Sequence, residues 1–150
     1  MARYNVVVTG DPVLRKISRP VKEVNDNIRK LLDNMAETMY YSKGVGLAAP
    51  QVGISKRVVV VDVGDGLYKL VNPEIIHSSG LQDGPEGCLS VPGTVGDVKR
   101  SERVTVKARN ENNEEVIIEA SGFKARAFQH EIDHLNGILF VDKANNIEVM

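Results

Sequence analysis

The sequence has 150 residues, 42% of them hydrophobic and 26% charged, which suits one core of ordinary domain size and excludes both a disordered chain and a second full domain. Nineteen Lys and Arg against twenty Asp and Glu leave a formal charge of -1, so no global positive field draws the chain to DNA, RNA or anionic lipid. The lone Cys88 excludes an internal disulfide and suits a reducing compartment, and Val6-Val7-Val8 is far too short for a signal peptide or membrane span, so a cytoplasmic protein is expected.

Val6-Val7-Val8 reads as a short strand or a packed N-terminal arm, and Asp11-Pro12 as a turn feeding a brief helix or extended segment at Val13-Leu14-Arg15. From Asn25 to Tyr41, Ile28, Leu31, Leu32, Met35 and Met39 recur at spacings of three and four, which predicts a long helix with one face in the core and Asn25 or Asp26 as its cap. Gly44 and Gly46 then interrupt it and leave little side-chain bulk before Gln51. The β-branched run of Arg57 to Asp62 predicts a buried strand, and Gly64-Asp65-Gly66 a turn. Two short strands are expected at Tyr68 to Val71 and Glu74 to His77, on either side of Asn72-Pro73.

Residues Gly80 to Gly96 hold five Gly and two Pro, which predicts an irregular loop around Cys88. Alternation at Val104, Val106 and Ala108, the polar Asn110 to Asn113, and Val116 to Ala120 read as an antiparallel hairpin. A second helix is predicted from Phe123 to Asn136, stopped by Gly137. Ile138 to Val141 is expected to cover the core, and Asp142 to Met150 shows no periodicity for another long helix. The expected class is α+β: one compact domain over 1–150 with a mixed or antiparallel sheet, a long N-terminal helix and a metal-binding C-terminal helix.

The second helix carries His130-Glu131-Ile132-Asp133-His134. Residues four apart lie nearly one helical turn apart on one face, so both imidazoles can meet one metal, while Glu131 lies beside that face, within reach of a water. A tetrahedral catalytic metal usually takes three protein ligands and keeps one open position. Cys88 is the leading third ligand because thiolates bind divalent metals well. Asp133 diverges from the pair and reads as a structural or outer contact, and His77 as ordinary packing or surface.

Three separated motifs, Gly44-Val45-Gly46-Leu47-Ala48-Ala49-Pro50-Gln51, Glu86-Gly87-Cys88-Leu89-Ser90 and Gln129-His130-Glu131-Ile132-Asp133-His134-Leu135, occur in an order in which the chain resembles the bacterial peptide deformylases. The resemblance implies removal of the formyl group from N-formylmethionyl nascent peptides, with release of formate. It implies Cys88, His130 and His134 as ligands of one Fe²⁺, for which Zn²⁺, Ni²⁺ or Co²⁺ can substitute. Glu131 is then the acid-base group, and the Gln51 amide and Leu89 backbone N–H stabilise the oxyanion. Gly46 contacts the substrate main chain, Val45, Phe123 and Ala127 line the methionine pocket, and Glu86 with Arg100 forms a structural ion pair bracing the metal-bearing loop. Gln129 is expected to contact that loop.

Only eight residues follow Asp142, where many relatives continue into a longer helix. Transient ribosome proximity is therefore expected without tail-mediated docking, and a monomer with no DNA or membrane partner. The competing readings are a general metallopeptidase and a noncatalytic metal-binding interaction protein. Peptide products distinguish the first, and retained function without Glu131 the second.

Overall fold

The computed structural model describes residues 3–150. In chain order it contains α1 (Asp26–Tyr41), β1 (Gly46–Ala48), β2 (Val58–Val61), β3 (Tyr68–Ser79), β4 (Gln82–Cys88), β5 (Val91–Arg100), β6 (Arg103–Arg109), β7 (Glu115–Ser121), α2 (Gly122–Leu135) and β8 (Asn145–Val149), with short 3-10 turns at Pro12–Arg15, Ala49–Val52 and Phe140–Asp142. β1-β2-β3-β6-β7 form one antiparallel sheet and β4-β5-β8 another.

α1 begins where the Asn25 side chain accepts a hydrogen bond from the Ile28 N–H at 3.0 Å, occupying one of the helix's otherwise unpaired first donors. Its apolar face, Ile28, Leu31, Leu32, Met35 and Met39, packs on Leu47, Val58, Val60 and Val71. The opposite face of the same sheet, with Val59, Val61, Leu70, Val104 and Val106, packs on Phe128, Ile132 and Leu135 of α2. β2 is thus covered on both faces, so all four of its valines are apolar rather than every second one. Full burial of each such side chain contributes about 1.5–3 kcal/mol. The sheet between two helices holds α2 rigidly by its apolar side and leaves its other side for chemistry.

Elsewhere the structure corrects the sequence reading. Gly80 to Gly96 is not an irregular loop: most of it is the β4–β5 hairpin, turning at Leu89-Ser90. β4 is an edge strand, where Pro85 can lack its N–H without breaking a two-sided ladder, and glycines weaken a strand without forbidding it once both chains pair. The two short strands expected around Asn72-Pro73 are one continuous strand, β3. Asn72 takes a φ of 52° and a register shift between Val71 and Glu74 absorbs the interruption.

Val6 to Val8 form a packed arm, with the Val7 N–H bonded to the Gln51 carbonyl at 2.8 Å. Asp142 to Met150 forms no long helix, but most of it pairs with β5 as β8. Gly137 ends α2 with a φ of 73°, where an added Cβ would lie 2.6 Å from the Arg15 carbonyl oxygen. Among the described residues no helix is long and apolar enough to cross a membrane.

Candidate metal centre and cleft

α2 places His130 and His134 one turn apart, with ring centres 5.0 Å from each other. Cys88 arrives from the end of β4, where a register shift between Glu86 and Cys88 re-aims the strand just before its tight turn. The Cys88 Sγ lies 3.3 Å from His134 Nε2, and one donor atom from each of Cys88, His130 and His134 lies within 4.8 Å of the others.

A tetrahedral ion with ordinary M–N and M–S bonds needs donors about 3.3–3.6 Å apart, so this sulfur and two nitrogens fit such a cation with small adjustments. The chemistry of the set agrees, since thiolate and imidazole suit Fe²⁺, Co²⁺, Ni²⁺ and Zn²⁺ alike. Glu131 supplies a second indication: its carboxylate is 4% exposed, and Oε1 has no hydrogen-bond partner among the described residues. A buried oxygen left in that state needs a bound water, substrate or ion to satisfy it.

Electrostatics in the centre are uneven. Burial pushes the Glu131 carboxyl up to about 7, opposed by the positive charge of His130. Burial works against a charged His130, but the Glu131 charge, Cys88 and the hydrogen bond to Glu86 outweigh it and raise His130 to about 10. His134 is held well below its usual value by burial and by the neighbouring His130 charge. A charged His130 holds a proton on each ring nitrogen, so metal uptake must displace the one on Nε2, the nitrogen that does not face Glu86.

Behind this centre Glu86 acts as a hub. Its carboxylate pairs with Arg100 through Nε and Nη2, both at 2.9 Å, with Arg126 Nη1 at 2.5 Å, and with His130 Nδ1 at 2.8 Å. An ionised Glu86 makes His130 Nδ1 the donor, which leaves Nε2 toward the cluster. Arg100 also pairs with Asp133 at 2.6 Å, and Lys143 joins Asp133 at 3.0 Å. Burial disfavours the Glu86 charge, but its hydrogen bonds to Arg100 and His130 win and hold the carboxyl at about 2.

In front of the centre is a cleft of about 260 Å³ lined by Val45, Gly46, Gln51, Glu86, Cys88, Leu89, Phe123, Ala127, His130 and Glu131 among others. The structure thus brings nearly all the sequence-selected residues to one place. His134 meets it through Cys88, and Arg100 lies behind Glu86. Gln51 is oriented by its own bonds: Oε1 accepts from the Ala48 N–H at 2.9 Å, which turns Nε2 toward Ser90 Oγ at 3.2 Å and Cys88 Sγ at 3.5 Å. Gly46 backs directly onto Glu131, and a Cβ there would meet the glutamate Cγ and Cδ at 2.9 Å. Gln129 bonds to the Ser101 backbone and the Ala125 carbonyl rather than to the Cys88 turn.

Two residues of this region escaped sequence reasoning. Arg126 stands four positions before His130 on α2, the same spacing that singled out His134, so the helical face did carry its signal. Lys43, on the rim, had none, because nothing in its immediate sequence ties it to the histidines.

The chain matches the polypeptide deformylase family over residues 3–150. A peptide deformylase from Carboxydothermus hydrogenoformans is 63% identical over 147 residues, which are 98% of this chain and 97% of that relative. The crystal structure of peptide deformylase from Thermotoga maritima superposes with a TM-score of 0.94 at 47% identity, covering 97% of this chain and 99% of that one. The structure of a peptide deformylase from Synechococcus elongatus in complex with actinonin superposes with a TM-score of 0.92 at 44% identity, covering 95% and 79%. Agreement of this extent in both sequence and backbone leaves one assignment: the chain belongs to the polypeptide deformylase family.

Proposed function

We propose that this chain, acting as a single catalytic domain over residues 1–150, hydrolyses the formyl group from N-formylmethionyl peptides of newly made proteins in the cytoplasm. The observation that carries the reading is the Cys88, His130 and His134 cluster on an apolar-walled cleft beside the buried Glu131, whose Oε1 has no hydrogen-bond partner among the described residues. Fe²⁺ held by these three ligands, with Zn²⁺, Ni²⁺ or Co²⁺ as substitutes, supplies Lewis acidity and a more acidic water.

The rest falls to the protein. Val45, Phe123 and Ala127 offer apolar contact to the methionine side chain, and Gly46 lets the peptide backbone approach beside Glu131. Glu131 takes a proton from the attacking water as the new C–O bond forms at the formyl carbon. It returns that proton to the nitrogen as the C–N bond breaks, giving formate and a free N-terminal amine. Gln51 Nε2 and the Leu89 backbone N–H donate to the oxygen that gains charge between those steps. The Glu86 hub keeps His130 in the ligating tautomer.

The test is anaerobic purification, metal quantification and a formate-release assay on the same sample with formyl-Met, acetyl-Met and internally cleavable peptides. Formate from the first alone, lost on chelation and restored by Fe²⁺, is the expected result. Internal cleavage without formate selects a metallopeptidase instead. Loss of activity in air with anaerobic metal rescue supports iron, because both Fe²⁺ and an open thiolate oxidise. Gly46→Ala tests the cleft's dimensions: the new methyl must displace the Glu131 carboxylate, and a misplacement of about 1 Å costs on the order of 10²-fold in kcat/KM, with the circular dichroism spectrum preserved.

A further inference from the structure

We propose that Lys43 sets substrate preference in this cleft, favouring formyl peptides with an acidic side chain at either of the two positions after methionine. This rests on the deformylase reading above and names a substrate class within it.

Lys43 occupies the turn that ends α1, where its N–H bonds to the Tyr40 carbonyl at 3.1 Å and the Gly44 N–H bonds to the Met39 carbonyl at 3.0 Å. Its φ is 60°, the left-handed conformation that helices usually close with glycine or asparagine. A lysine there is conformationally the poorer choice, and its side chain is exposed on the rim of the cleft, next to Gly44, Val45 and Gly46. No ion pair or side-chain hydrogen bond engages its ammonium among the described residues.

The other charges lining the cleft are committed elsewhere. Glu86 and Arg126 are buried against each other, and Glu131 is buried beside the metal cluster. Lys43 is therefore the exposed charge among the lining residues; the carboxylate of Asp62, a residue whose backbone N–H bonds to the Val45 carbonyl, accepts instead from the Tyr40 hydroxyl at 2.6 Å. A peptide whose methionine sits against Val45, Phe123 and Ala127 can leave along the Gly44 and Val45 edge, past Lys43. An extended chain advances about 3.3 Å per residue, so its next two side chains fall within reach of a lysine of ordinary length. The ammonium then meets a carboxylate favourably and another ammonium unfavourably. Both effects belong to binding, because the charges lie away from the reacting bond.

The experiment measures kcat/KM of the metal-loaded enzyme for formyl-Met-X-Ala and formyl-Met-Ala-X peptides with X as Glu, Gln or Lys. Lys43→Gln, Lys43→Glu and the remote charge change Lys22→Glu are compared with the unmodified chain. An exposed ion pair predicts that Glu exceeds Lys by about two- to five-fold at one or both positions, mainly through KM. The ratio should shrink as salt is raised, since exposed charges are screened. It should approach one in Lys43→Gln, invert in Lys43→Glu and persist in Lys22→Glu. Equal rates for all peptides in the unmodified enzyme, a preference that survives Lys43→Glu, or one that Lys22→Glu removes equally would overturn the assignment while leaving deformylation intact. Absence of formate from every peptide would instead remove the deformylase reading on which it stands.

Discussion

Glu131→Gln is expected to retain its metal and to lose about 10²- to 10⁴-fold in kcat/KM for formyl peptides. The substitution preserves the shape of a side chain that is 4% exposed, so the packing of α2 against the sheet should not change. It replaces an oxygen that can take a proton with an amide that cannot, at a position where a buried carboxylate oxygen without a hydrogen-bond partner among the described residues lies beside the Cys88, His130 and His134 cluster. Burial holds this carboxyl at about 7, close to neutrality, where a group both accepts and returns a proton readily. A loss in kcat with little change in KM marks a group needed for the chemical step rather than for binding. Formate release and metal content measured on one anaerobic sample decide it. Turnover near that of the unmodified enzyme would remove Glu131 from the acid-base role.

The fold was most legible where one local pattern and the tertiary environment asked for the same thing. Ile28 to Met39 had a helical period and met an apolar sheet face, and Val58 to Val61 were apolar throughout because helices cover both of their sides. Legibility failed at Gly80 to Gly96, since glycine and proline report local conformational freedom while strand pairing is a nonlocal fact. Whether Pro85 breaks a ladder depends on its strand lying at an edge, and nothing within a few residues of it says so. β8 was missed for a related reason: its five residues are all exposed, so no alternation between core and solvent marked them.

The candidate site divides along the same line. His130, Glu131 and His134 carry a spacing that geometry alone makes meaningful, and Cys88 stood out by chemistry. Gln51, Leu89 and the Glu86–Arg100 pair came only from family resemblance, because their roles depend on contacts across 37, 14 and similar numbers of residues. Asp133 lies one position before a metal-facing histidine, yet its carboxylate turns to Arg100 and Lys143, which one step of about 100° around the helix explains.

The largest effect on stability is expected from Glu86→Ala. Removing one partner of a buried ion pair costs about 3–5 kcal/mol, because the charge left behind is no longer compensated. Here the deletion leaves Arg126 with only its hydrogen bonds to Gln82 Oε1 and the Gly84 carbonyl and no ion pair among the described residues, while Arg100 keeps Asp133, so the loss should fall chiefly on the contact between α2 and the hairpin. It also frees His130 Nδ1, and loss of such a support lowers metal affinity by about 10- to 100-fold. Urea unfolding of the metal-free proteins separates the first effect from the second, which metal titration reads. Acid supplies an independent check. Glu86 is held at about 2 in the fold against an ordinary value of 4.5, so its contribution is fully present above pH 4.5 and is lost as pH falls toward 2. Glu86→Gln, which keeps the shape without the charge, should be less stable than the unmodified chain near neutrality and should lose that part of its acid sensitivity. A destabilisation below about 1 kcal/mol for Glu86→Ala, within the range of an exposed pair, would mean that the buried hub does not hold α2 to the hairpin.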